Sequence, residues 1–199
     1  MIRMKKLTSF FAFLLVAIAA CAQFGAGIRD SRYVYGVYSP VKSLDIMLDH
    51  SLYSEKMGFQ RVGVGVSYGM PFAKGFEWQA GIYGATTWNR NYQVVNAHAM
   101  LSYAYRRLGL KAKIQPHYDS GLKYTTTWMA QAGVKITDKI GVIAAYTTIP
   151  EFRVSEKRLR GGFEFEVGSL MVRPELSFSV DKATRFKNMR VLMSMHYKF

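Results

Sequence analysis

A histidine, an acid and a hydroxyl lie close together in the stretch His117-Tyr118-Asp119-Ser120. A hydroxyl activated by a histidine, with an acid that orients the imidazole ring, is the arrangement that acyl transfer uses. A two-residue turn at Leu108-Gly109 would also place His98 across from Asp119. However, Asp-Ser-Gly is itself a typical turn sequence. A polar hairpin end is therefore the favoured interpretation, and a Ser120 nucleophile is the alternative.

A second group of residues is charged and recurs at alternate positions. Its basic members are Lys111, Lys113, Arg158, Arg160, Arg173 and Arg190, and its acidic members are Glu164, Glu166 and Glu175. A two-residue turn at Gly168-Ser169 would place Glu164 directly across from Arg173, which predicts an ion pair. Alternation puts the members of this group on one face of a sheet. We call them the lumen charge cluster, because that face would line the interior if the sheet closes into a barrel.

Chemistry based on cysteine, metals or cofactors has little support in the sequence. Cys21 is the only cysteine, and the four histidines are dispersed without ligand spacing. We find no cofactor motif. No cofactor and no metal are therefore expected.

The N-terminus has the features of an export signal. Arg3, Lys5 and Lys6 precede an apolar run from residue 10 to residue 20, which is too short to span a bilayer. Ala20 and Ala22 favour cleavage before Gln23, so we expect a signal peptide at 1–22 and one mature domain at 23–199. Residues 18–21 also fit a lipobox, in which Cys21 would be lipidated instead.

Period-two alternation runs through the mature chain and predicts an all-β domain. In residues 62–68, for example, Val or Tyr alternates with Gly or Ser. Turn signals separate such segments, among them Leu108-Gly109, Asp138-Lys139 and Gly168-Ser169. Eleven segments can be counted, but a barrel with both ends on one side needs an even number. Twelve strands are favoured, with Phe24 to Ile28 as the first; ten remain possible if 33–38 is not in the wall.

Three features favour a membrane barrel over a soluble, lipocalin-like one. The polar face is rich in small residues, as a crowded lumen requires. Aromatic residues lie near both ends of the segments, where strands would cross the bilayer interfaces. These are Trp88, Tyr118, Trp128 and Tyr146 at one end, and Tyr103, Tyr105, Tyr197 and Phe199 at the other. The chain also ends in an apolar alternation that consists of Val191, Met193, Met195, Tyr197 and Phe199.

This ending resembles the C-terminal assembly signal of Gram-negative outer-membrane β-barrels. The resemblance implies a single antiparallel up-and-down barrel in the bacterial outer membrane, inserted by the barrel assembly machinery. It also implies that the loops at 147–157 and 181–185 face outward. Partners would then include outer-membrane lipid and lipopolysaccharide, for which the charged stretch Glu151 to Arg158 is a candidate contact.

The balance of charge narrows the function. Removal of residues 1–22 lowers the net charge from +14 to +11. Because export makes nucleic acid a poor partner, small anionic solutes and membrane remain. The charges would either fill and stiffen a narrow lumen or form a basic channel, with Arg160 and Arg173 as selecting charges.

Two further resemblances bear on function. In strand count and charge sign the chain is similar to small porins for acidic oligosaccharides. The group around His117 is loosely similar to lipid-A deacylases and palmitoyltransferases, which implies an outer-membrane lipid-modifying enzyme as the alternative. The favoured function is a structural, surface-exposed or weakly porin-like barrel that is not an enzyme, with a basic lumen filled largely by side chains.

Overall fold

A computed structural model describes residues 23–31, 33–51, 61–87, 93–120, 123–148, 157–180 and 189–199. The expected signal peptide, Trp88, residues 181–185 and most of the loop expected at 147–157 lie outside these ranges. No helix of the described residues is long and apolar enough to cross a membrane.

The described residues form twelve antiparallel strands in one closed barrel. The strands are β1 (Gln23–Arg29), β2 (Tyr33–Val41), β3 (Leu44–Ser51), β4 (Arg61–Ala73), β5 (Phe76–Thr87), β6 (Gln93–Tyr105), β7 (Leu108–Asp119), β8 (Lys123–Lys135), β9 (Ile140–Thr147), β10 (Arg158–Val167), β11 (Leu170–Ser179) and β12 (Arg190–Lys198). Each strand pairs with its neighbours in the chain, and β1 pairs with β12. The prediction of twelve strands, with the first over Phe24 to Ile28, is confirmed.

The alternating sequence separates the outer face from the lumen. In β4, Val64 and Val66 point outward and are exposed, whereas Gly63 and Gly65 face inward and are buried. The same division holds on β12, where Val191, Met193, Met195 and Tyr197 lie on the exposed outer face. An outer surface this apolar requires an apolar environment.

Aromatic contacts ring both ends of the barrel. Phe76 and Tyr103 lie with their ring centroids 4.4 Å apart at the end of the barrel where β1 begins and β12 ends, and the centroids of Tyr197 and Phe199 lie 4.9 Å apart there. At the opposite end, Trp128 contacts Tyr146 with a centroid separation of 4.7 Å. Aromatic belts at two levels are typical of barrels that cross two membrane interfaces.

The hairpin between β6 and β7 differs from the prediction. Tyr105 pairs with Leu108, so the turn is Arg106-Arg107 and not Leu108-Gly109. Arg106 has φ of 52°, which a tight hairpin turn requires. With the predicted turn, Arg107 would lie within the strand and project from the apolar outer face. The observed turn leaves both arginines at the rim, in reach of water.

Candidate functional site

The candidate site is the lumen of the barrel. A cavity of about 400 Å³ lies between the inward-facing side chains of most strands. Its charged lining residues include Arg29, Asp45, Arg61, Lys113 and Arg160. The lumen charge cluster was assigned to one face of the strands, and the structure places all nine members on that inner face. It does not bring them into one group, because they divide between two sides of the barrel.

Arg160 on β10 lies at the centre of an ion-pair network. Its Nε donates to Glu175 Oε2 on β11 over 2.8 Å, and its Nη2 donates to Asp30 Oδ1 in the turn after β1. The Glu175 side chain is only 5% exposed, and that of Arg160 is 17% exposed. Hydrogen bonds between charged groups in such surroundings are strong, and loss of one partner is costly.

A second ion pair joins the same two strands, β10 and β11, nearer the turn that connects them. Arg173 Nε donates to Glu164 Oε2 over 3.1 Å, and Arg173 Nη2 donates to the same oxygen. This is the ion pair that the sequence predicted, and it depends on the two-residue turn at Gly168-Ser169, which places Val167 opposite Leu170. Glu166, the next acid on β10, accepts from Lys135 Nζ over 3.3 Å near the rim.

The arginine at 158 occupies a more enclosed position. Arg158 is 2% exposed, and its guanidinium donates to Ser177 Oγ over 2.7 Å and to the Ser177 carbonyl oxygen over 3.0 Å. Arg190 on β12 lies across from Ser177 in the next strand pair. Both residues therefore belong to the densely bonded side of the lumen around β10 to β12.

A cluster that sequence reasoning missed joins β1, β3 and β5. Asp49 is buried and accepts from Arg29 Nη2 over 3.2 Å and from the Tyr83 hydroxyl over 2.8 Å. The Arg61 guanidinium lies over the rings of Tyr33 and Tyr83, at 4.6 Å and 5.6 Å from their centroids. These contacts join residues on different strands, so alternation could have shown only that each side chain faces inward.

Gly63 makes room for this cluster. A Cβ at Gly63 would lie 2.0 Å from the Tyr83 hydroxyl oxygen and 2.7 Å from Asp49 Oδ1. The small residues of the polar face, which the sequence assigned to a crowded lumen, therefore have that role at this position. We call the ion-paired side chains of β10, β11, β1 and β3 the paired wall.

The two lysines on the opposite side of the lumen lack such pairing among the described residues. On β7, Lys111 and Lys113 form no hydrogen bond and no ion pair with any residue that the structure describes. Their cross-strand neighbours are uncharged: Ser102 and Gln131 for Lys111, Met100 and Met129 for Lys113. We call the inward-facing residues of β6 to β8 around these two lysines the lysine wall.

The histidine and the acid of the first motif form a buried pair. His117 Nε2 and Asp119 Oδ2 are 2.8 Å apart, and the two side chains are 7% and 0% exposed. Asp119 pairs with Val94 across the hairpin and not with His98, because the turn at Arg106-Arg107 shifts the register by four residues. The shift is even in number, so the inward face of β7 was still assigned correctly.

Ser120 forms no hydrogen bond with His117 Nδ1 in the structure. Its hydroxyl accepts from the backbone N–H of Gln93 over 3.2 Å. The second ring nitrogen, His117 Nδ1, is buried and has no hydrogen-bond partner among the described residues. A catalytic hydroxyl would have to lie at that nitrogen. The described residues also contain no group of three His, Cys, Asp or Glu side chains that could hold a metal ion.

Comparisons with known proteins add a likeness in fold. No protein-family model matches the chain, and no curated protein matches its sequence. The KdgM porin in complex with disordered oligogalacturonate is similar in structure, with a TM-score of 0.68 at 8% sequence identity, covering 89% of this chain and 99% of that chain. The NanC porin gives a TM-score of 0.54 at 10% identity, covering 89% of this chain and 96% of that chain.

A third similar structure is the outer membrane protein Omp33 of Acinetobacter baumannii. Its TM-score is 0.50 at 10% identity, and the likeness covers 89% of this chain and 96% of that chain. At such identities the likeness concerns the path of the backbone alone. Together with the closed twelve-stranded barrel, it shows that this chain has the fold of outer-membrane porins.

Proposed function

We propose that the protein is a narrow pore of the bacterial outer membrane through which small anionic solutes pass. The observation that carries the proposal is the cavity of about 400 Å³ inside the closed barrel, with Arg29, Lys113 and Arg160 among its lining residues. A basic lumen with low-dielectric walls raises the local concentration of anions. The KdgM porin, whose structure is similar, was obtained with an oligomer of a sugar acid, which supports acidic solutes as the class to test.

The proposal differs in one respect from a fully plugged barrel. Side chains such as Tyr83 and Met47 narrow the lumen, yet they leave the cavity between them. A lumen of this kind favours small solutes over long chains, because little width remains beside the ion-paired residues. The likeness to porins and the position of Ser120 favour a pore over a lipid-modifying enzyme.

The conductance of the refolded protein in planar bilayers tests the proposal. We expect discrete conductance steps and a higher permeability for chloride than for potassium. Met129→Trp should abolish or strongly reduce these steps, because Met129 lines the cavity. Ala130→Trp is the matched control, because Ala130 follows Met129 on β8 and faces outward. Folded protein that stays silent in every bilayer would overturn the pore.

We further propose that export removes residues 1–22 and that the mature barrel contacts outer-membrane lipid, lipopolysaccharide and the barrel assembly machinery. The basic residues Arg3, Lys5 and Lys6 before a short apolar run, with Ala20 and Ala22 ahead of Gln23, support the proposed boundary. Intact mass spectrometry of protein isolated from membranes tests it. A mass that begins at Gln23 is expected, whereas a lipid attached to Cys21 would contradict cleavage at Ala22.

A further inference from the structure

The distribution of charge in the lumen is uneven, and this bears on how the proposed pore would choose its solutes. We infer that Lys113 is the residue that gives the lumen its preference for anions. This inference rests on the proposed pore, and it replaces the expectation that Arg160 and Arg173 are the selecting charges.

The arginines of the paired wall are compensated by carboxylates. Arg160 contacts both Asp30 and Glu175, and Arg173 contacts Glu164. The Arg173–Glu164 pair therefore presents opposite charges side by side, whose fields largely cancel a few ångströms away. Arg160 contacts two carboxylates, so this group of three adds no net positive charge to the lumen. Removal of a complete pair should leave the mean potential of the lumen almost unchanged.

Lys113 lies in different surroundings. The two residues beside it in the neighbouring strands are Met100 and Met129, whose side chains are uncharged and apolar. Lys113 lines the central cavity and is half-buried. A charge held between apolar groups at the edge of a narrow lumen is screened less than one at the surface, so its field extends further across the pore.

Lys111 is a weaker candidate than Lys113. It lies closer to the rim and is exposed. Lys111 pairs with Ser102 on β6, and Ser102 pairs in turn with Glu77 on β5. Glu77 forms no ion pair in the described part of the chain. The carboxylate of Glu77 offsets part of the Lys111 field. Lys113 pairs with Met100 on β6, and Met100 pairs in turn with Gln79 on β5, so the equivalent position beside Lys113 holds no acid.

Reversal potentials in a gradient of potassium chloride test the inference. A unit charge about 7 Å from a passing ion contributes an energy on the order of RT even in water. Because that energy acts with opposite sign on chloride and potassium, Lys113→Gln should lower the chloride-to-potassium permeability ratio about threefold to tenfold. Lys113→Arg, which keeps the charge, should leave the ratio close to that of the unmodified protein.

Two controls separate local charge from total charge. Lys74→Gln removes the same formal charge at an exposed turn outside the lumen, and it should leave the ratio unchanged. The double variant Glu164→Gln with Arg173→Gln removes a complete pair and should also have little effect. Lys113→Met, which matches its two methionine neighbours, is a second neutral variant if Lys113→Gln folds poorly.

The outcomes distinguish the inference from the proposed function. An anion-selective pore whose ratio survives both neutral variants of Lys113 would overturn the inference and leave the pore intact. The inference would also be overturned, with the pore intact, if the double variant lowers the permeability ratio as much as Lys113→Gln does. An unmodified protein that conducts without preference, or does not conduct, would overturn the proposed anion pore and this inference with it.

Discussion

The paired wall and the lysine wall line the same lumen but use charged residues for different purposes. On the paired wall, Arg160 is held between two carboxylates, one of which is almost fully buried. On the lysine wall, Lys113 has no partner among the described residues. The first arrangement ties strands together, and the second leaves a charge available to solutes. In the proposed pore, stability and selectivity would therefore depend on opposite sides of the barrel.

The sharpest way to test this contrast is to replace one cation on each wall by methionine. Arg160→Met leaves Asp30 and Glu175 without their cation, so we expect a loss of about 3–5 kcal/mol in the free energy of unfolding. Lys113→Met removes no partner and should cost less than about 1 kcal/mol. Urea-induced unfolding in lipid vesicles, followed by tryptophan fluorescence, measures both. Equal losses would show that the two walls do not differ in this way.

A second test concerns how closely the walls are packed. Gly162→Ala places a Cβ 2.1 Å from the Pro174 carbonyl oxygen on β11, a backbone atom that cannot move without separating the strands. We expect a loss of about 1–3 kcal/mol. Gly109→Ala on the lysine wall is the matched control, because its Cβ would meet nothing within 4 Å. The same unfolding measurement decides, and a costly Gly109→Ala would contradict the contrast.

A smaller effect is expected for the hydroxyl that completes the Asp49 cluster. Tyr83→Phe removes the hydrogen bond to Asp49 Oδ1 and should cost about 0.5–1.5 kcal/mol. Tyr124→Phe is the control, because the Tyr124 hydroxyl lies on the outer surface, 3.3 Å from the hydroxyl of the exposed Thr126. If both variants unfold alike, the Asp49 cluster does not contribute through this bond.

The smallest effect is expected at the rim. Lys135 and Glu166 form an ion pair over 3.3 Å, but their side chains are 51% and 44% exposed. Exposed pairs of this kind contribute about 0–0.5 kcal/mol. Lys135→Gln should therefore leave the unfolding midpoint almost unchanged. A loss close to that of Arg160→Met would mean that burial is not what separates the strong pairs from the weak ones.

Local patterns in the sequence accounted for the barrel and for the inward face of its charged residues. Strict alternation predicted which side chains point inward, and the need for an even strand number favoured the short first strand, with ten strands as the alternative. The ion pair between Glu164 and Arg173 was predictable because it depends on one tight turn, Gly168-Ser169, where Gly168 has φ of 61°.

The register of the hairpin between β6 and β7 was not predictable in the same way. Gly109 suggested a turn, but the turn formed at Arg106-Arg107, where two charged residues stay at the rim. The contacts of Arg160 with Asp30 and of Asp49 with Arg29 and Tyr83 were also out of reach. They join strands that are not paired neighbours and that meet only when the sheet curves and closes, and one-dimensional alternation contains no information on that closure.

The contact between Arg160 and Asp30 has a consequence for the order of folding. The two residues are 130 positions apart in the chain, and between their strands lies the seam where β12 pairs with β1. Contacts of such long range form late, because the entropy of the intervening chain must be lost first. Until the seam closes, Arg160 can reach Glu175 but not Asp30. The ion pair is therefore a marker of barrel closure, because it forms only when the open sheet has become a closed barrel.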